Sequence, residues 1–329
     1  MQFSFSDDQL ALRDAVRDLL AKECPPAAVR AAWTSPTGRC APAWNALTEM
    51  GVLGVVVPET AGGLGLDEID LVLVLEETGR SALPEPIVET AAVVAPMLAA
   101  RGDERAAELV AGASAAATHA LSPHAVWADT ASVIVAMGSS QTVVAPREAF
   151  VLGAVDSVDG ARRLFELEVA GAVPSGAPQH DESEVDLAFD RAALGTAAQL
   201  NGLADRMITM TVEYASARKQ FGVAIGTFQA VKHHLANARL ALEFARPLAY
   251  RAASTIANDD ADRAVAVSLA KASASDAATL AARVALQCHG AIGYTTEYDL
   301  HLFMKRTWAL AATWGDAAWH RARIGRAIL

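Results

Sequence analysis

Two short segments in the C-terminal half of this 329-residue chain carry side chains suited to holding a phosphorylated ligand. The first reads Tyr214-Ala215-Ser216-Ala217-Arg218-Lys219-Gln220-Phe221-Gly222 and is followed by Ile225-Gly226-Thr227-Phe228-Gln229. A guanidinium such as that of Arg218 offers paired donors to phosphate oxygens, and Phe221 or Phe228 offers a flat face for stacking or packing. Alone, Arg218 reads equally well as a solvated turn cation. The second segment, Gln287-Cys288-His289-Gly290-Ala291-Ile292-Gly293-Tyr294, places small residues at Gly290 and Ala291, where the main chain can reach phosphates directly.

Other reactive side chains read more simply. Asp316 precedes the helical pattern Ala317-Ala318-Trp319-His320-Arg321 and fits an N-terminal cap, and Asp190 before Arg191 fits a cap or a surface ion pair. His233-His234 has no ligand partner at metal spacing, so no metal site is expected. Glu243, Arg246 and Arg251 suit a salt-bridged helix face that Pro247 would kink. Trp308, Trp314 and Trp319 suit helix packing better than a pocket wall. The glycine-rich stretch Ala61-Gly62-Gly63-Leu64-Gly65 follows Pro58 rather than a strand and lacks a Lys-Ser/Thr pair, so close backbone approach is expected there rather than a phosphate cradle.

Across the whole chain, 53% hydrophobic content supports a large core, and a net charge of −11 argues against a nucleic-acid partner. Cys24, Cys40 and Cys288 lack the spacing of a disulfide or zinc framework, which fits a reducing cytoplasm. The start Met1-Gln2-Phe3-Ser4-Phe5 has neither a basic region nor an apolar core, and no apolar run is long enough to span a membrane, so neither a leader nor a membrane segment is expected.

The elements that must position these residues follow from periodicity. Ser6 and Gln9 form a capping box, flanked by Phe5 and Leu10 as a hydrophobic staple, ahead of Val16, Leu19 and Leu20 at helical spacing. A second helical run surrounds Trp44, Leu47 and Met50, and helices continue to Gly112 with breaks at Pro84 and Pro86. Between Ala113 and Asp190, runs such as Ser132-Val133-Ile134-Val135-Ala136, Gln141-Thr142-Val143-Val144 and Ala149-Phe150-Val151-Leu152 predict short strands. Beyond Arg191, four or five long alanine-rich helices are expected, interrupted near 221–227, 258–260 and 290–294. The expected fold is therefore mainly α with a small β domain: an N-terminal helical domain (1–112), a shortened middle β domain (113–190) and a C-terminal helical bundle (191–329).

In this order of domains, and in the segments around Arg218 and Gln287, the chain resembles the acyl-CoA dehydrogenase family. Phe5-Ser6-Asp7-Asp8-Gln9-Leu10 and Pro58-Glu59-Thr60-Ala61-Gly62-Gly63-Leu64-Gly65 are similar to further landmarks of that family. The resemblance implies a four-helix C-terminal bundle and FAD as cofactor. It also implies that Arg218, Gln220, Phe221, Phe228, Gln229 and the stretch Gln287, Cys288, His289, Gly290, Ala291 contact the dinucleotide end of a neighbouring subunit's flavin. Three family features are missing. The β domain has no Thr-Glu-Pro-x-x-Gly-Ser-Asp stretch and no Trp-Ile/Ser-Thr/Asn stretch, and the catalytic glutamate is replaced at both of its known positions, by Trp314 and by Ala192. An indole has no basic lone pair and cannot take a proton from carbon. Asp316 and Asp190 lie two residues away, which on a helix turns a side chain by about 200° and shifts it roughly 3 Å.

This pattern implies a non-catalytic subunit, completing the FAD site of a second, base-bearing acyl-CoA dehydrogenase chain in an α2β2 heterotetramer of actinobacterial steroid side-chain (cholesterol) degradation. Its substrate would be a steroid-derived acyl-CoA thioester. The alternatives are a self-sufficient homomeric dehydrogenase using Asp316 or Asp190, and a flavin-free scaffold of the same fold.

Overall fold

The computed structural model describes residues 4–170 and 181–329. Residues 1–3 and 171–180, where part of the start-of-chain reading and part of the β-domain reading fall, lie outside the described residues.

Helix α1 (Asp7–Glu23) begins at the expected capping box, with Gln9 N–H donating to Ser6 Oγ at 3.2 Å and Ser6 N–H to Gln9 Oε1 at 3.0 Å. Phe5 lies edge-on to Tyr250 at 4.9 Å, pinning this end to the bundle. Helix α2 (Pro26–Thr34) was not anticipated; α3 (Ala41–Glu49) carries Trp44 and Leu47 into the core as expected. The glycine-rich loop folds on itself. Leu64 N–H donates to Gly54 O at 2.8 Å, and a Cβ on Gly63 would sit 2.1 Å from the Val57 carbonyl oxygen. Close approach, not ligand binding, accounts for the glycine there.

Helix α4 (Glu68–Arg80) is followed, after Pro84 and Pro86, by a π-helical turn over Val88–Val94, then α5 (Ala95–Ala100) and α6 (Arg105–Val110). Two small sheets come next. In one, β1 (Ala115–His119) pairs parallel with β3 (Val133–Met137), which pairs antiparallel with β4 (Thr142–Pro146). In the other, β6 (Leu164–Val169) lies between β2 (Ala125–Val126) and β5 (Phe150–Val155). Ala116, Ile134, Val143, Ala145, Phe150 and Phe165 form a separate apolar core for this region.

The bundle comprises α7 (Glu182–Ala217), α8 (Gln229–Ala257), α9 (Arg263–His289), α10 (Leu300–Ala312) and α11 (Ala317–Ile328). Between α7 and α8, β7 (Lys219–Gln220) and β8 (Val223–Ala224) make a hairpin. Helix α8 runs unbroken through Pro247. The first bundle helix begins at Glu182, ahead of the expected start at 191, because Asp181 caps it by accepting from Ser183 N–H at 2.9 Å. That shift overturns one expectation: Asp190 is neither a cap nor a surface residue. It is buried in mid-helix, accepting from Arg323 at 2.6 Å and Arg263 at 3.0 Å. None of the helices among the described residues is long and apolar enough to cross a membrane.

Helices α4 and α7 touch through glycine. A Cβ on Gly202 would fall 1.9 Å from Glu76 O, and one on Gly79 would fall 2.0 Å from Gln199 O. Replacing Gly202 by Ala must push the two helices apart, so Gly202→Ala is expected to cost about 3 kcal/mol. Denaturant unfolding checks this, and an unchanged midpoint would show that the helices separate freely.

Candidate functional site

The segments around Arg218 and Gln287 meet at one end of the bundle. Tyr214, in the last turn of α7, stacks on His289 at 4.3 Å with an interplanar angle of 25°, and Tyr298 packs against the other part of this cluster at 4.8 Å from His289. His289 Nδ1–H donates to Ala285 O at 2.7 Å, leaving Nε2 as a buried acceptor without a partner among the described residues. Burial holds the imidazole pKa below its usual value, so the ring is neutral at pH 7.

Three residues at this end have left-handed or otherwise positive-φ backbone. Phe221 (φ +52°) and Gly222 (φ +83°) both adopt the left-handed region, the geometry of a two-residue type I′ hairpin turn. Phe221 is 94% exposed there, which is costly for an aromatic residue in that conformation. Gly290 sits at φ +65°, ψ −144° with nothing within 4 Å of a built Cβ, so its main chain faces open space. Strained, exposed positions of this kind mark functional surfaces. Phe228 lies edge-on to Phe221 at 6.2 Å, and Arg218, Gln220, Gln229, Gln287 and Ala291 are exposed. The Arg218 guanidinium has no acidic partner among the described residues, leaving its donor fork free for an anion. Cys288 is half-buried, and burial raises its thiol pKa, which disfavours a reactive thiolate. His233 and His234 are exposed, and no metal-binding cluster exists among the described residues.

A different arrangement fills the cleft between the sheets and the bundle. Trp314 is buried in left-handed conformation (φ +55°) beside the carboxyl of Glu89, which stands on the π-helical turn. Burial raises the Glu89 pKa against the pull of Arg162, and Arg162 Nη2 donates to Thr313 Oγ1 at 2.9 Å. Arg306 pairs with Asp159 and donates to Leu83 O at 2.6 Å, while Arg39 Nε donates to Glu85 at 2.6 Å. Glu85, Glu89, Arg162 and Arg306 line a small space there together with Trp127, Gln199, Val88 and Leu310, and a larger cavity of about 320 Å³, lined by His124, Val158, Arg162, Trp308 and Thr313, opens beside it between the sheets and α10. Sequence reading missed Glu89 and Arg162 altogether. A Glu in an apolar stretch before Thr90-Ala91-Ala92 was the only available signal.

The turn carrying Trp314 is held from below. Lys271, fully buried, donates to Gly315 O (2.9 Å), Ala311 O (3.1 Å) and Ser275 Oγ (3.3 Å). His320 Nε2–H donates to Trp314 O at 2.9 Å, and its Nδ1 accepts from the Ser268 hydroxyl at 3.1 Å. Asp316 caps α11 as expected, accepting from Trp319 N–H at 2.8 Å. Trp319 packs edge-on against Phe189 at 5.2 Å, which makes it a packing residue, while Trp308 is 39% exposed on α10.

The chain matches the acyl-CoA dehydrogenase N-terminal domain over residues 6–138 and the acyl-CoA dehydrogenase C-terminal domain over residues 185–329. It is 35% identical to the acyl-CoA dehydrogenase IpdE2 of Mycobacterium tuberculosis, covering 91% of each chain. The IpdE2 of Mycolicibacterium smegmatis is 32% identical over 92% of each. Among solved structures it superposes on the ChsE4-ChsE5 complex from Mycobacterium tuberculosis with a TM-score of 0.89 at 22% identity, covering 99% of this chain and 98% of that one. Butyryl-CoA dehydrogenase from Megasphaera elsdenii superposes at 0.85 with 20% identity and complete coverage of both chains. The two helical regions around small sheets thus define a flavoenzyme-type oxidoreductase fold. This chain belongs to the acyl-CoA dehydrogenase family.

Burial pushes the Lys271 pKa down to about 7 and that of His320 down to about 4. In each case the unfolded chain binds more protons than the folded one between the two pKa values. Stability is therefore expected to rise with pH, between about 4 and 6.5 for His320 and from about 7 toward 10.5 for Lys271. Denaturation midpoints followed across pH test this, and His320→Gln should remove the acidic part of the slope.

Proposed function

We propose that this chain is the non-catalytic subunit of a heteromeric acyl-CoA dehydrogenase and completes the FAD site of a base-bearing partner. The observation that carries this reading is the contrast between its two sites. One end of the bundle offers an unpaired guanidinium, an exposed aromatic on a strained turn and an open glycine backbone, whereas in the chain's own cleft Trp314 is buried beside Glu89 within an ionic network. The family's two base positions are Ala192 and Trp314, both buried and neither able to accept a proton. The solved ChsE4-ChsE5 structure is that of a complex, and it shares this fold.

The residues at the bundle end fit a dinucleotide. Arg218 would meet pyrophosphate oxygens, Phe221 and Phe228 would pack against a ring, and Gln220, Gln229, Gln287 and the backbone of Cys288, His289, Gly290 and Ala291 would complete the cradle. Bound flavin supplies the hydride acceptor for α,β-dehydrogenation of an acyl-CoA thioester, and the base comes from the partner. We infer a steroid-derived acyl-CoA as substrate, an α2β2 assembly in the cytoplasm, and a division of the chain into residues 1–112, 113–190 and 191–329, with the first bundle helix starting before the third of these.

The homomeric alternative finds little support, since Asp316 is committed to a helix cap and Asp190 to two arginines. A flavin-free scaffold leaves the free Arg218 and the strained Phe221 without a purpose.

Expressed alone, the chain is expected to be colourless and inactive. Co-expressed with a family member that carries the glutamate, it should give a yellow complex with fewer flavins than chains, measured by absorbance after denaturation. Arg218→Ala should lower that occupancy about tenfold or more at limiting FAD, since a charge-assisted contact is lost. A single gene product fully loaded with flavin and turning over a thioester would refute the proposal.

Phe221→Gly separates strain from binding. The substitution relieves the left-handed aromatic, so the chain's thermal midpoint should hold or rise, while FAD affinity of the complex falls. A lower midpoint with unchanged affinity would show that Phe221 serves only the fold.

A further inference from the structure

Arg162, in the segment between β5 and β6, is a buried cation short of partners. It is 7% exposed, and its one hydrogen bond among the described residues runs from Nη2 to the Thr313 hydroxyl at 2.9 Å. No carboxylate among those residues stands within ion-pair distance of it. Asp159 is taken by Arg306, and Glu89 acts on the guanidinium only from further away, with burial working against that carboxylate's own charge. An arginine keeps its proton inside a protein, so stripping it of water without supplying an anion is costly. The same side chain lines the cavity of about 320 Å³ between the sheets and α10. Much of the remaining wall is apolar: Leu121 from the loop after β1, Val158 and Leu164 from the β5–β6 region, and Trp308 from α10. Besides Arg162, the ionisable groups on this wall are His124, partly buried, and Asp156, which is exposed.

We propose that this cavity is a binding site for a small organic carboxylate with an apolar ring body. A carboxylate answers a guanidinium with two parallel hydrogen bonds, and Arg162 has donors left over after its one bond to Thr313. Trp308 is 39% exposed and Val158 48%, so an indole face and a branched aliphatic side chain stand open to cover a ring. The volume lies at the small end of the range for ligand pockets, which suits one or two rings rather than a nucleotide. Inorganic phosphate fits less well, because its second charge would face apolar walls and Asp156. All of these groups belong to one chain, so the site stands or falls independently of the heteromer reading.

The test titrates the full chain with benzoate, cyclohexanecarboxylate and naphthoate in a calorimeter. Naphthamide serves as the uncharged counterpart, and inorganic phosphate as an anion without a body. Saturable binding of naphthoate is expected, at least tenfold tighter than that of naphthamide or phosphate, because only the acid meets both the guanidinium and the apolar wall. Arg162→Gln should reduce naphthoate to the affinity of the amide. Val158→Trp fills the cavity from an exposed position and should weaken naphthoate at least tenfold without lowering the thermal midpoint, so the test survives even where Arg162→Gln disturbs the fold. Equal affinity for naphthoate and naphthamide overturns the carboxylate assignment, and phosphate binding as tightly as naphthoate overturns the apolar body. Displacement of naphthoate by flavin mononucleotide overturns the proposal in favour of a flavin ring. Absence of saturable binding by all three acids, or unchanged naphthoate affinity in Val158→Trp, overturns the site itself.

Discussion

The contact between α4 and α7 is a backbone contact, made possible by Gly79 and Gly202, and most of the molecule is arranged around it. It seats α7 deep enough for Asp190 to reach Arg263 on α9 and Arg323 on α11 inside the protein. It also brings Gln199 within 3.1 Å of Thr78 and leaves Asp205 and Glu76 to bind Arg246 of α8. Buried ion pairs of this kind contribute less to net stability than to a unique arrangement, because desolvation offsets much of their attraction. Here they fix the rotation of each bundle helix about its axis. The same long helix then ends at Arg218, so its seating also aims the exposed hairpin.

The cleft and the open bundle end are two outcomes of one economy of space. In the cleft, Trp314 is buried on a turn whose carbonyl oxygens accept from Lys271 and His320. Arg306 pairs with Asp159, and Arg162 lies close enough to Glu89 to pull on its charge. At the bundle end the Arg218 guanidinium is left without an acidic partner among the described residues, and the hairpin turn holds Phe221 exposed in the left-handed region.

Much of this was legible in the residues. Periodicity and the capping box at Ser6 gave the first helix, β-branched runs gave three of the strands, and Asp316 gave the start of the last helix. Strand β1 was not legible because Ala115-Ala116-Ala117 favours helix locally and is overridden by its pairing with β3. Asp190 was misread because its local signal, an acidic residue before an arginine, describes a cap as well as it describes a charge in mid-helix. Only the position of α9 and α11 makes it a buried hub.

By itself, the amino-acid order determined the family and the sequence of helical and β regions, since these depend on residue identity and local spacing. The tertiary structure decided what no spacing encodes. It joined Tyr214 to His289 across the bundle and lined the cleft with charges drawn from three distant segments. The physical reason is that burial and charge pairing are properties of neighbours in space, and those neighbours are set by how the helices pack.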